Sequence, residues 1–293
     1  MDAAPLVCRG LHKRYGDHVA LRGVDLQVEA GEILGFLGPN GSGKTTTMRI
    51  ALGLLRADAG SVRVLDADPW HDLEHRRHLG YLPSSPRFYE RMRGGRLLEH
   101  LAALSGAPAV LRDELCERLA LSSADLARPV REYSRGMRQK LGIVQALQHD
   151  PELCVLDEPS EGLDPLMQEA FFAILRDRRD AGRTVLFSSH VLSEVDALCD
   201  RVSLIRAGEI VDTRTLAELR AGRPRIVRVR SDAVLSLPDC DPLGEEGGWQ
   251  RFAAHGEVNA LLAALATVHV DDVAIEEPSL EDIFLGYYRD DAP

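Results

Sequence analysis

The stretch "GPNGSGKTTT", Gly38 to Thr47, constrains this chain more than any other. It follows the short apolar run "EILGFL", Glu32 to Leu37, and precedes Met48, Leu52 and Leu55 at helical spacing. A buried strand, a glycine-rich turn and a helix in that order are the context that the pattern G-x-x-x-x-G-K-[ST] requires. The glycines let backbone N–H groups close around phosphate oxygens, and the helix N-terminus adds partial positive charge. The predicted cradle is Gly38, Pro39, Asn40, Gly41, Ser42, Gly43, Lys44, Thr45 and Thr46. Lys44 reads as an exposed side chain that reaches β- and γ-phosphates, and Thr45 as a hydroxyl ligand for Mg²⁺.

The strand and helix alternate with others. Val24, Leu26 and Val28 mark a half-buried strand before Gly31, while "LCVLDEP" (Leu153 to Pro159) and "TVLFSS" (Thr184 to Ser189) read as buried strands. Between these two, Asp164 is a candidate N-cap with Pro165 as first helical residue, Leu166, Ala170, Ala173 and Ile174 as the apolar face, and Gly182 as the stop. Residues 87–148 change to helical stripes: Leu97, Leu101 and Leu104, then Leu111, Leu115 and Leu119, then Met137, Leu141 and Val144. "IRAGEIV", Ile205 to Val211, predicts a hairpin turning at Ala207-Gly208. Beyond "AGRPR" come short strands, "RIVRV" and "DDVAI", and a helix near Val258 to Leu265. The expected architecture is α/β. A P-loop NTPase core over 1–220 has a mostly parallel sheet, an antiparallel N-terminal β part and a helical insertion at about 87–148. A small α+β accessory domain follows over 221–293.

Composition narrows the function. A net charge of -11 over 293 residues argues against a nucleic-acid footprint across the surface. The five cysteines are scattered without metal-ligand spacing, as free thiols in a reducing compartment would be. "MDAAPLVCRG" lacks the cationic start and apolar run of a signal peptide, and no stretch approaches the ~20 apolar residues of a spanning helix. The expectation is a cytoplasmic protein whose membrane role passes through a partner.

Chemistry concentrates at two further points. "LCVLDEP" carries Asp157 and Glu158 to the carboxyl end of a strand, where ligands of such sheets collect. Asp157 suits Mg²⁺, through water, and Glu158 suits orienting or deprotonating an attacking water. "YSRGMRQK", Tyr133 to Lys140, opens a helix with Ser134 as candidate cap and Gly136 freeing backbone donors for an anion.

The glycine cradle, "YSRGMRQ" and "LCVLDEP", in that order, resemble the ATPase subunit of ABC transporters over about the first 220 residues. The resemblance implies ATP and Mg²⁺ as cofactors and a head-to-tail homodimer closed by ATP. In that dimer Ser134, Arg135, Gly136 and Met137 form the signature that acts on the partner subunit's ATP. It implies that Tyr15 stacks on adenine, that His190 contacts the γ-phosphate, and that Asp164 in "EGLDP" lies on the dimer interface. Catalysis then belongs to Glu158, His190 and Lys44. Ser84 in "GYLPSS" departs from the family, which commonly has a Gln that contacts Mg²⁺ or the attacking water and couples to the membrane subunit; Ser is too short for both. Arg135 and Met137, with "PSLEDIF" (Pro278 to Phe284), resemble the exporter branch serving drugs, sodium, or polysaccharides and lipids, whose integral membrane permease is a separate chain. That places the protein on the inner face of the cell membrane. Two alternatives stand beside it: a soluble ABC ATPase acting on nucleic acid or ribosomes, and a regulatory module that binds ATP without hydrolysis. One cassette, no heptad arm and an acidic total disfavour the former. Glu158 disfavours the latter.

Overall fold

The computed structural model of the chain describes residues 4–221, 223–278 and 280. Two compact units divide between Arg214 and Thr215. The short helix after Thr215 therefore goes with the C-terminal unit, whereas sequence assigned it to the first.

In the first unit, β1 (Leu6–Tyr15) and β2 (His18–Val28) form an antiparallel hairpin turning at Gly16, whose φ of 58° suits glycine. β3 (Ile33–Leu37) then runs into the glycine loop and α1 (Lys44–Ala51). β4 (Ala59–Val64) returns to β1, giving a three-stranded antiparallel sheet of order β2-β1-β4. Leu6, Leu11, Leu21 and Val24 of this sheet share one buried cluster with Phe36, Met48, Ile50 and Leu186. The loop before α1 is thus anchored on both sides.

β5 (Leu79–Leu82) starts the central sheet, and the chain leaves it through α2 (Gly94–Ser105), α3 (Arg112–Arg118), α4 (Ser123–Leu126) and α5 (Arg135–Leu147) before returning as β6 (Leu153–Asp157). These helices occupy the crossover between two parallel neighbours. α6 (Pro165–Asp180) leads to β7 (Thr184–Ser189), α7 (Leu192–Leu198), β8 (Arg201–Arg206) and β9 (Glu209–Thr215). The order is β5-β6-β7-β3-β8-β9, and β3, β5, β6, β7 and β8 pair in parallel. Every residue of β3, β6 and β7 is buried, which is why their sequences read as apolar runs, broken only at the strand ends by Asp157 in β6 and by Thr184, Ser188 and Ser189 in β7. At the predicted hairpin, Ala207 (φ 49°) and Gly208 (φ 84°) both adopt left-handed backbone between β8 and β9.

Two helix faces differ from expectation. Leu166 is 74% exposed; α6 buries the expected Ile174, but with Phe171, Phe172 and Leu175 rather than with Leu166, Ala170 and Ala173. The two phenylalanines offer more apolar area than Ala170 and Ala173, and Phe172 meets Phe187 of β7 edge-on at 6.0 Å. In α2, Leu97 and Leu98 are buried while Leu104, the end of the predicted stripe, is 69% exposed.

The second unit contains α8 (Leu216–Arg220), β10 (Arg225–Arg230), β11 (Cys240–Glu246), β12 (Trp249–Ala254), α9 (Val258–Leu265) and β13 (Asp272–Glu276). Its antiparallel sheet, β11-β12-β10-β13, packs Val227, Val229 and Phe252 with Leu261 and Leu265 of α9. Of "PSLEDIF", Ser279 and the residues from Glu281 onward lie outside the described residues.

Candidate nucleotide-binding site

The turn between β3 and α1 needs its glycines where backbone passes close. A Cβ on Gly38 would lie 2.3 Å from the Ile205 carbonyl oxygen. Gly43 has a φ of 114°, and a Cβ there would meet Leu21 Cδ2 at 2.7 Å. The loop wraps the rim of a cleft of about 310 Å³. Residues Pro39 to Thr46 line it together with Ser84, Glu158, Glu161 and His190.

Lys44 is 6% exposed, so the expectation of an exposed lysine is corrected. Its ammonium donates to the Gly38 carbonyl over 2.6 Å and lies 3.3 Å from Glu158 Oε1. The α1 backbone starts at this residue, which carries the side chain back over the loop rather than out to water. Thr45 donates its hydroxyl proton to Asp157 Oδ2 over 2.8 Å, joining α1 to the end of β6. Asp157 is buried, and its other oxygen accepts from the Ser188 hydroxyl of β7 at 2.8 Å. Glu158 has a φ of 50°, left-handed backbone that a non-glycine residue adopts only when its neighbours hold it there. The next contact outward is His190, whose Nδ1 lies 2.7 Å from Glu158 Oε2. Ser189 beside it donates to Glu194 Oε2 over 2.6 Å, and Gln168 Nε2 donates to Oε1 of the same carboxylate. This network fixes the start of α7 and the loop carrying His190.

Two pKa shifts bear on the site. Burial, and then the negative charge of Asp157, raises the Tyr81 phenol on β5 above its ordinary range. Burial also pushes the Cys154 thiol on β6 far up, so this cysteine stays protonated and unreactive.

The residues fit a polyphosphate. Ser42 Oγ is buried with no hydrogen-bond partner among the described residues, the Lys44 ammonium is on hand, and α1 presents its N-terminus. They also fit Mg²⁺ in its usual mode, few protein oxygens completed by phosphate and water: Thr45 Oγ1 and an Asp157 carboxylate oxygen are adjacent.

Other predicted site residues stand elsewhere. Tyr15 is 47% exposed near the tip of the β1–β2 hairpin, with the Lys13 ammonium 5.7 Å from its ring centroid, and is not among the cleft residues. Ser134 caps α5, accepting from Met137 N at 3.2 Å, and none of Ser134, Arg135, Gly136 and Met137 lines this chain's own cleft. Arg135 pairs with Glu161, and a Cβ on Gly136 would come within 2.9 Å of the Gly162 carbonyl oxygen. Asp164 caps α6 by accepting from Met167 N at 3.0 Å. Sequence reasoning passed over Gln139, which donates to the Pro159 carbonyl over 2.7 Å and ties α5 to the loop after β6. It also passed over Ser188. The available signal was a polar residue, Ser188 or Ser189, in a strand otherwise apolar from Val185 to Phe187.

A glycine cradle, a buried lysine and two acids at the carboxyl end of β6 define a P-loop nucleotide-binding domain. A family model described as "ABC transporter" matches residues 21–161. The daunorubicin resistance ATP-binding protein DrrA3 of Streptomyces coeruleorubidus is 37% identical over 306 residues, covering 96% of this chain and 95% of that protein. The fluoroquinolones export ATP-binding protein of Mycobacterium tuberculosis (strain ATCC 25618 / H37Rv) is 35% identical over 287 residues, 94% and 91% of the two chains. An uncharacterized ABC transporter ATP-binding protein of Nostoc sp. is 42% identical over 206 residues; that match takes in 69% of this chain and 61%, about three fifths, of the relative's length. A solved ATP-binding subunit of an ABC transporter superposes with a TM-score of 0.69 at 28% identity, covering 73% of this chain and 91% of that one. The chain belongs to the ATP-binding subunits of ABC transporters, a family that hydrolyses ATP.

Proposed function

We propose that the chain is the ATP-hydrolysing subunit of an exporter, working as a homodimer on the inner face of the membrane beneath a separate integral permease. The observation that carries the hydrolytic part is the position of Glu158, between the Lys44 ammonium and the His190 ring at the mouth of the phosphate cleft. Lys44 and the backbone donors of 41–46 would bind the β- and γ-phosphates, and Glu158 would accept the proton of the attacking water. His190 would hold Glu158 in place and reach the γ-phosphate. Thr45 and Asp157 would hold Mg²⁺, which neutralises charge on the phosphates when bound.

The lining of the cleft supports the dimer. Its walls hold no signature residue, while Ser134 and the α5 N-terminus carry a hydroxyl and N–H donors. A second copy placed head-to-tail would bring these donors to the γ-phosphate. Tyr15 would stack on adenine and Asp164 would lie along the interface. Among the described residues no helix is long and apolar enough to cross a membrane, and the relatives' names as ATP-binding proteins support a separate permease as the translocation path. The names of the Streptomyces and Mycobacterium relatives support drug export.

Capture of a tagged chain from detergent-solubilised membranes, followed by phosphate-release assays, tests both parts. An integral membrane protein should co-purify and Mg-ATP should be hydrolysed. Capture of ribosomes or nucleic acid without a membrane protein, or absence of hydrolysis, would overturn the reading.

A further inference from the structure

Ser188 occupies a place that packing does not explain. β7 is buried on both faces, its preceding residues Val185, Leu186 and Phe187 are apolar, and a hydroxyl there carries a desolvation cost unless it is paired. Ser188 is fully buried, and it is paired twice. Its hydroxyl donates to Asp157 Oδ1 over 2.8 Å, and its oxygen accepts the backbone N–H of Glu158 over 3.0 Å. One side chain on β7 therefore touches both acids that end β6.

We propose that Ser188 is a positioning residue for the two acids, fixing the rotation of the Asp157 carboxylate and the left-handed backbone of Glu158. The inference rests on the preceding reading of the cleft as a Mg-ATP site. The geometry is specific in each half. Asp157 has two oxygens, and Thr45 already donates to Oδ2. With Ser188 on Oδ1 the carboxylate plane is held at both ends, so a lone pair of Oδ2 stays beside the Thr45 hydroxyl, where the divalent cation would sit. Glu158 at φ 50° needs an external contact to hold a backbone region that costs energy for a residue bearing a Cβ, and the bond from its own N–H to Ser188 supplies one. That backbone in turn aims the Glu158 carboxylate at Lys44 and His190. Ala at 188 would keep the strand while freeing both acids. Val would fill the space and leave a buried carboxylate oxygen and a buried N–H unpaired.

The test compares wild type, Ser188→Ala and Ser203→Ala. Ser203 is also fully buried, on β8, but its hydroxyl meets Thr213, so it reports the cost of losing a buried hydroxyl away from the acids. Equilibrium binding of a fluorescent ADP analogue is measured in EDTA and across a Mg²⁺ titration, with thermal melting of each protein alongside. In wild type and Ser203→Ala, Mg²⁺ should tighten binding. For Ser188→Ala the EDTA affinity should be unchanged while the Mg²⁺ midpoint rises about tenfold, the size of one lost hydrogen bond to a charged group. The turnover number should fall with KM for Mg-ATP little altered. If the Ser188→Ala midpoint matches wild type, or EDTA binding falls in parallel with melting temperature, Ser188 is only structural and the inference fails. If Mg²⁺ does not tighten binding even in wild type, the reading of the cleft fails instead.

Discussion

The Lys44 ammonium and the Glu158 carboxylate form a pair at 3.3 Å, with side chains 6% and 14% exposed. The residue expected to grip phosphate and the residue expected to activate water neutralise each other across the cleft. A γ-phosphate entering between them would take over the lysine, and its charge would press on the glutamate. Replacing Glu158 by Gln removes that competitor for Lys44 and that repulsion. Glu158→Gln should therefore bind ATP at least as tightly as wild type, while its hydrolysis falls by about 10²–10⁴-fold, the usual worth of a positioned base. Equilibrium ATP binding and single-turnover rates check both halves; weaker binding or wild-type turnover would refute the assignment.

The same pair changes the expectation for Lys44→Ala. Exposed P-loop lysines affect ligand more than fold, but Lys44 is buried, and its removal leaves Glu158 Oε1 without a nearby cation. Breaking a buried pair by deleting one partner costs stability because the other charge stays desolvated. Lys44→Ala should lose ATP binding and also melt several degrees below wild type. The double variant Lys44→Ala/Glu158→Gln should recover much of the melting temperature without recovering hydrolysis. Differential scanning calorimetry decides; equal melting of Lys44→Ala and wild type would mean the pair does not contribute to stability.

Much of this was legible in the chain and some was not, for definable reasons. The three buried strands and the glycine loop are written as local runs, so β3, β6 and β7 could be read directly. Asp164 and Ser134 announce themselves as caps because capping uses residues three apart. The Lys44–Glu158 pair, the Thr45–Asp157 hydrogen bond and the two hydrogen bonds of Ser188 join residues brought together only by the parallel order of the sheet, and no local pattern encodes them. Helix faces failed where large side chains competed with small ones: Phe171 and Phe172 outweighed Ala170 and Ala173. The charged residues that brace the sheet were hidden in the same way, since their partners lie far along the chain.

Asp150 is such a residue. It precedes β6, its carboxylate pairs with Arg183 and Arg178, and its φ is 52°. Burial acts to raise its pKa, but the bond and charge of Arg183, with help from Arg178, outweigh it and hold the carboxyl below the usual range. A depressed folded-state pKa means that the stabilisation is present above the ordinary aspartate range and is lost as pH falls through the depressed value. Asp150→Asn keeps a residue type that tolerates left-handed backbone. It should melt a few degrees lower than wild type near neutral pH, and the gap should close in acid. A gap independent of pH would show that the charge is not what stabilises.

Ser84 lines the cleft with Lys44 and Thr45, yet its side chain is short. If this loop senses the site through water, Ser84→Gln should reach the phosphates directly. Hydrolysis in the presence of the permease should then be equal or faster. A large drop, with nucleotide binding intact, would mean that the loop is built around serine and that the longer side chain blocks the cleft.

Ser134 gives the sharpest test of the dimer. It caps its own helix and lines no part of its own cleft, so the proposed role in hydrolysis is one played at a second subunit's cleft. Ser134→Arg places a long cation where the partner's phosphate would dock, and Lys44→Ala disables the P-loop. Each should be inactive as a pure homodimer. Mixed together, the heterodimer pairs the sound P-loop of the Ser134→Arg chain with the sound signature of the Lys44→Ala chain, giving one intact site and one doubly broken. Phosphate release should reappear on mixing, up to a fraction set by random pairing. A signature acting within its own chain would give no recovery, because every subunit then carries a defect in its own site. Heterodimers must be shown to form with ATP, by pull-down of differently tagged chains. A one-sided Glu158→Gln heterodimer, made in the same way, reports whether one sound site can turn over beside a dead one. If the mixed heterodimers form and stay dead while the one-sided Glu158→Gln heterodimer works, Ser134 does not act across the interface.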